Sequence, residues 1–94
     1  MKVSLLTLHL FFPATRSLKD KRSIVKRILA EVDGRGAAFA AAEIGDLNDR
    51  ERAAIRIAHL SGEPRYSDSV LTQLRERLES GRDYVLESYE MELL

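Results

Sequence analysis

The stretch TRSLKDKR, Thr15 to Arg22, gathers the residue types that bind phosphate: Arg16, Lys19, Lys21 and Arg22, with Lys26 one turn further on. Arginine offers a planar fork of donors and lysine a mobile point charge, so a cluster of both holds phosphate oxygens in varied geometries. The same stretch reads as the first turn of a helix. There the macrodipole is positive, and each added cation costs roughly 0.3–1 kcal/mol. The cost has two candidate offsets. One is a bound anion, held by free backbone N–H groups together with Arg16, Ser17, Lys19, Arg22 and Lys26. The other is local: Ser17 and Asp20 satisfy the turn themselves and the bases form a solvated face.

Other chemistry is thin. There is no cysteine, which excludes disulfides, thiol nucleophiles and thiolate metal sites. His9 and His59 fall on two strands with opposite parity, so they cannot share a metal; each reads as a packed or edge histidine. Glu87, Glu90 and Glu92 alternate along one segment and give no assured carboxylate pair. Asp46, Asn48, Asp49 and Glu51 form an acidic turn without EF-hand spacing. Neither a P-loop nor a G-x-S-x-G elbow occurs. The expectation is therefore no catalytic residue, no metal and no cofactor.

The chain has 94 residues, 45% hydrophobic and 32% charged, enough for one two-layer core and too few for two. No apolar run reaches the roughly 20 residues of a membrane span. The opening MKVSLLTLHLFFP alternates polar with apolar residues and lacks a small-residue cleavage site, so it reads as a strand and not a leader. These features lead to the expectation of a cytoplasmic protein. Eleven arginines against four lysines, with one Asn and one Gln, fit a heat-adapted host, although a GC-rich genome would also give them. The net charge of zero hides a dipole. Residues 1–36 hold eight bases against three acids, and the remainder seven against twelve.

These residues need a scaffold. Val3 to Phe12 is an apolar β-rich run closed by Pro13, a central strand expected to be largely buried on both sides. Ser17 caps a helix whose Leu18, Ile24, Val25, Ile28, Leu29 and Val32 share one arc, while Lys19, Arg22 and Lys26 lie opposite. Gly34 is the expected left-handed cap. Ala37 to Ile44 and Arg52 to Leu60 read as strands joined by a turn, and a second helix is expected from about Asp68, capped by Ser67, to Gly81. Tyr84 to Leu94 alternates as a last strand, with Val85, Tyr89, Met91 and Leu93 on one face. The order βαββαβ with right-handed crossovers predicts a ferredoxin-like α+β sandwich: one domain, strand order 4-1-3-2, both helices on one face.

Lys21 stands apart. The helical wheel puts it in the middle of the apolar arc, so its stem must lie against the sheet. A structural ion pair with Glu87, at the start of the last strand, is the expected partner. The face of the sheet without helices carries Val3, Leu5 and Phe11, with Tyr84 beside Phe11. That face is too apolar for an aromatic RNA platform and suits an interface, including a homodimer.

The helix start SLKDKRSIVKRIL resembles the S-L-K-E-K-R signature that opens the first helix of a small bacterial family of unknown function, the YlxP-like or DUF503 proteins. The likeness extends to AEI at the end of the second strand, to RAAIRIAHLS, and to an acidic close at Tyr89, Glu90 and Glu92. It departs at the hairpin, where the family's Asp-Leu-Trp-Gln-Arg run is Asn48, Asp49, Arg50, Glu51 and Arg52 here. The resemblance implies a ferredoxin-like fold and, from the translation genes that accompany the family, a role with RNA or the ribosome. Together these observations lead to the expectation of a non-enzymatic module that binds RNA or the ribosome through the start of the first helix. The alternative is a dimeric protein-interaction or ligand-sensing module using the open sheet. A phosphate-handling enzyme comes third.

Overall fold

The computed structural model describes residues 2–94. The elements are β1 (Lys2–Phe11), α1 (Leu18–Asp33), β2 (Phe39–Gly45), β3 (Arg52–Ser61), α2 (Pro64–Glu79) and β4 (Val85–Leu93). All strand pairs are antiparallel, in the order β2-β3-β1-β4, which is the expected ferredoxin-like order read from the other edge.

Strand alternation selects the buried face. Leu6, Leu8 and Leu10 of β1 sit opposite Ile57, Ile55 and Ala53 of β3, and all six are buried. Phe12 extends this row past the strand end. Val25, Ile28 and Val32 of α1 and Leu71, Leu74 and Leu78 of α2 close the core from above. Each crossover carries its helix over the half of the sheet it must reach: α1 packs on β2, whereas α2 packs on β1, β3 and β4.

Four details differ from the sequence reading. Helix α2 begins at Pro64, a turn before Asp68. Proline has no N–H to lose at the first helical position, so the apparent breaker is the helix start. Gly34 is right-handed (φ −66°, ψ −9°), and the positive φ that ends the α1 turn belongs to Gly36 at 120°. A bulge between Ser88 and Leu86 inserts Glu87 into β4 and resets the alternation. Val85 therefore stands beside Phe11 on the open face, while Tyr89, Met91 and Leu93 pair with Leu8, Leu6 and Ser4 on the helix side. Tyr84 is buried under the helices and not on the open face.

Candidate functional site

Helix α1 starts as its sequence dictates. Ser17 is extended (φ −152°, ψ 164°), and its Oγ accepts a hydrogen bond from the Asp20 N–H at 3.1 Å. The Asp20 carboxylate accepts one from the Arg16 N–H at 3.0 Å. A hydroxyl and a carboxylate thus offset the positive end of the helix from within. The cations are not needed for that, and they divide into two kinds.

Lys21 turns inward and is 0% exposed. Its Nζ donates to the carbonyls of Asp46 (2.7 Å), Arg52 (3.1 Å) and Leu47 (3.3 Å), and stands 3.1 Å from Glu43 Oε2. An ammonium has three hydrogens, and three carbonyls take them. The carboxylate supplies charge without a hydrogen bond of its own, which is why Glu43 Oε2 has no hydrogen-bond partner despite the short distance.

The expected pair with Glu87 does not form. The β1-α1-β2 crossover puts Lys21 over the β2 edge, on the other side of the sheet from β4. The bulge also turns Glu87 to the open face, where it meets Arg52 Nε at 3.3 Å. Sequence reasoning missed Lys21's partners because most are backbone carbonyls, whose direction no side-chain type announces. The one available signal was Glu43, an acid on the helix-facing side of an otherwise alanine-rich strand.

Further bonds fasten this corner. The Thr15 hydroxyl donates to the Arg50 carbonyl at 2.6 Å, Arg50 Nη1 to the Arg16 carbonyl at 3.5 Å, and the Phe12 N–H to the Glu51 carbonyl at 2.8 Å. The β2–β3 hairpin and the start of α1 are one structural unit. Asp46 sits within it at φ 60°, its carbonyl aimed at Lys21. The acidic turn thus already has its cation in Lys21. Among the described residues no cluster of three or more His, Asp or Glu side chains is placed to hold a metal.

Arg16, Lys19, Arg22 and Lys26 are the second kind. All four are exposed, as is Ser17, and among the described residues none of the four cations makes an ion pair. Around the helix toward α2 the positive surface continues at an open cleft of about 480 Å³ whose lining includes Arg27, Arg77 and Arg82. There Arg27 meets Asp83 at 3.2 Å and Arg77 meets Glu31 at 3.2 Å. The bases of the exposed helix stripe are free, and those of the cleft are largely paired.

The cleft also contains Tyr84, whose hydroxyl donates to the Leu78 carbonyl at 2.6 Å at the end of α2. Burial, and then the nearby Glu31 carboxylate, push its pKa above the ordinary value near 10. The native state keeps this proton to higher pH than the unfolded chain does. Its contribution is therefore fully present below about pH 10 and is lost as pH rises through the folded pKa. Urea midpoints measured from about pH 9 to about pH 11 should fall more steeply for the parent protein than for Tyr84→Phe, which lacks the group.

The histidines lie on opposite faces, as their parity requires. His9 Nε2 meets Glu90 Oε1 at 2.8 Å on the open face, while buried His59 shares a 2.7 Å hydrogen bond with Ser67 Oγ beneath α2. The serine–histidine pair is sealed, with Ser67 1% and His59 2% exposed, so it ties β3 to α2 and has no route to a substrate. Val3, Leu5 and Phe11 do lie half-exposed on the open face. The Phe11 ring is covered by the Arg52 guanidinium, 4.9 Å from its centroid, and so offers no bare stacking surface. Among the described residues no helix is long and apolar enough to cross a membrane.

A search of curated proteins returns no match. The family model described as "Protein of unknown function (DUF503)" matches residues 3–91, which reaches all six elements, ending within β4, and includes both the inward lysine and the outward bases. The chain belongs to the DUF503 family, whose function is unknown.

Proposed function

We propose that this protein is a non-enzymatic, cytoplasmic binding module that docks on RNA, free or in the ribosome, through the phosphate backbone. The contact surface is the exposed stripe of Lys19, Arg22 and Lys26 on α1 together with Arg16 just before the cap, and Ser17 shapes the turn that presents it. One observation carries the reading: Lys19, Arg22 and Lys26 share one exposed face of α1, with exposed Arg16 just before its cap, and among the described residues none of the four has an acidic partner, while the fifth cation, Lys21, does the structural work. Solvated bases beside an internally satisfied helix cap cost little to leave free and gain most from meeting phosphate.

The geometry favours backbone recognition over base reading. The open sheet has one aromatic on β1, and Arg52 lies across it. Affinity should therefore be strongly salt dependent and weakly sequence dependent. On single-stranded RNA, four phosphate contacts predict a log–log salt slope of about −3, at about −0.7 per contact. Fluorescence anisotropy with a labelled oligonucleotide across a salt series measures it. Lys26→Gln should reduce the slope by about 0.7, whereas Lys2→Gln, off the stripe, should leave it unchanged. A slope near zero contradicts the reading.

A further inference from the structure

The face of the sheet turned away from the helices has a charge pattern that specifies its own partner. Its rows follow from the strand register. Arg56 of β3, Thr7 of β1 and Glu90 of β4 lie side by side in one row, and Ala58, Leu5 and Glu92 in the next. At the far end of the face Arg52, Phe11 and Val85 form another row, with the bulged Glu87 bonded to Arg52. Arginine thus occupies the β3 side of β1, and glutamate the β4 side.

Arg56 is the informative member. Its Nε donates to Thr7 Oγ1 at 3.0 Å, and the side chain bridges across to β1 so that Thr7 is only 3% exposed on an otherwise uncovered face. Among the described residues it has no ion pair, although Glu90 stands in the same row one strand beyond Thr7. The surrounding surface is apolar and low: Val3 and Leu5 half-exposed, Leu60 45% exposed, and Ala40, Ala42, Ala54 and Ala58 along β2 and β3. Short alanine side chains let a second sheet approach closely.

We infer that this face is covered by a second copy of the chain, related by a two-fold axis running parallel to the strands. An axis in that direction exchanges the two sides of the sheet, so the arginine side of one copy lies over the glutamate side of the other. An axis across the strands stacks arginine on arginine and glutamate on glutamate, which the charges disfavour. With the axis over β1, β3 of each copy lies over β4 of the other, and the isologous pairing brings Arg56 of each copy to Glu90 of the other, whose carboxylate also meets His9 of its own chain at 2.8 Å. The three strands that overlap about this axis, β3, β1 and β4, lie about 4.8 Å apart and cover roughly 460 Å² per copy, well under the roughly 800 Å² of a standard interface. The dimer should therefore form in the micromolar range and dissociate on dilution.

This axis also places both α1 starts at the same end of the dimer, on its two outer faces. The inference rests on the open sheet and is independent of what the basic helix binds.

Sedimentation velocity and native mass spectrometry on two charge reversals test it. The parent protein should be dimeric at about 100 µM. Arg56→Glu and Glu90→Arg should each be folded by far-UV circular dichroism and monomeric at that concentration, because each faces like charge across the axis. Mixed in equal amounts they should form the heterodimer, where both contacts are again opposite in sign, and binding should recover at least tenfold over either variant alone. Leu60→Lys, at a position already exposed in the monomer, should weaken the dimer without a change in helix content. A parent protein monomeric at about 100 µM, variants that dimerise as the parent does, or a mixture of folded variants that stays monomeric would each overturn the inference.

Discussion

Lys21→Met should cost about 3–5 kcal/mol of folding free energy, a large share of the roughly 5–15 kcal/mol that holds a domain of this size together. Methionine keeps the apolar stem and removes only the ammonium. What is left behind is expensive. The carbonyls of Asp46, Leu47 and Arg52 lose their donor, and Glu43, with a side chain 14% exposed, keeps a buried charge without its counterion. Stranding one member of a buried pair costs far more than never having had it. The double variant Lys21→Met/Glu43→Leu should therefore recover part of the loss, leaving mainly the cost of the unpaired carbonyls. Urea unfolding of the two single variants and the double gives the coupling directly. A loss below about 1 kcal/mol for Lys21→Met would mean that the hairpin holds its place without the lysine. The consequence reaches beyond stability, because the hairpin is fastened to the start of α1 through the same corner. Loosening it should raise amide exchange in residues 46–51 before the rest of the sheet opens.

Gly81→Ala carries the second large effect, at the opposite helix. A Cβ built on Gly81 overlaps the Tyr84 hydroxyl and falls 2.7 Å from Tyr84 Cε1. That ring is nearly buried and cannot swing aside without giving up the hydrogen bond to the Leu78 carbonyl and its packing near Phe12, with ring centroids 6.4 Å apart. The glycine is required here by close approach. The expected penalty is about 1–3 kcal/mol from overpacking, plus about 1 kcal/mol for the lost hydrogen bond. The combination Gly81→Ala/Tyr84→Leu removes the obstructing ring. It should be less destabilised than the sum of its single changes, which thermal melts would show as a positive coupling. Additive losses would place the cost of Gly81→Ala somewhere other than at Tyr84.

Much of the fold was legible because it rests on local rules. The apolar run Val3 to Phe12 marks a central strand and the alternation in RAAIRIAHL its neighbour, although the run suggests burial on both sides where only the helix side, with Leu6, Leu8 and Leu10, is buried throughout. The pairing of Ser17 with Asp20 marked the start of α1 correctly, down to the N–H that the serine accepts. The wheel sent Lys21 inward and Lys19, Arg22 and Lys26 outward, and the side chains are disposed in that way. What escaped the sequence is non-local or backbone in character. Position along the sheet points Lys21 to Glu87, since both lie at the same end. The lysine's real neighbours depend on which lateral half α1 covers and on carbonyls that point inward at Asp46, Leu47 and Arg52. A single inserted residue in β4 is enough to put Val85 on the opposite face from Tyr89, because strand alternation has a period of two. Pro64 reads as a breaker but starts α2, since proline is tolerated where the helix has no N–H to satisfy.

The division of labour among the cations of α1 explains the odd charge of TRSLKDKR. One lysine belongs to the fold, the cap belongs to Ser17 and Asp20, and in the proposed reading the exposed bases meet phosphate. The test is co-sedimentation with ribosomal subunits across a salt series, comparing the parent protein with Arg16→Glu/Lys19→Glu/Arg22→Glu. The triple variant changes only exposed side chains without ion pairs, so its urea midpoint should match the parent's closely. The account predicts that the parent protein pellets with subunits at low salt and is released steeply as salt rises, while the folded variant stays in the supernatant throughout. A parent protein that fails to sediment with subunits at low salt, or a folded variant that sediments as the parent does, would contradict it.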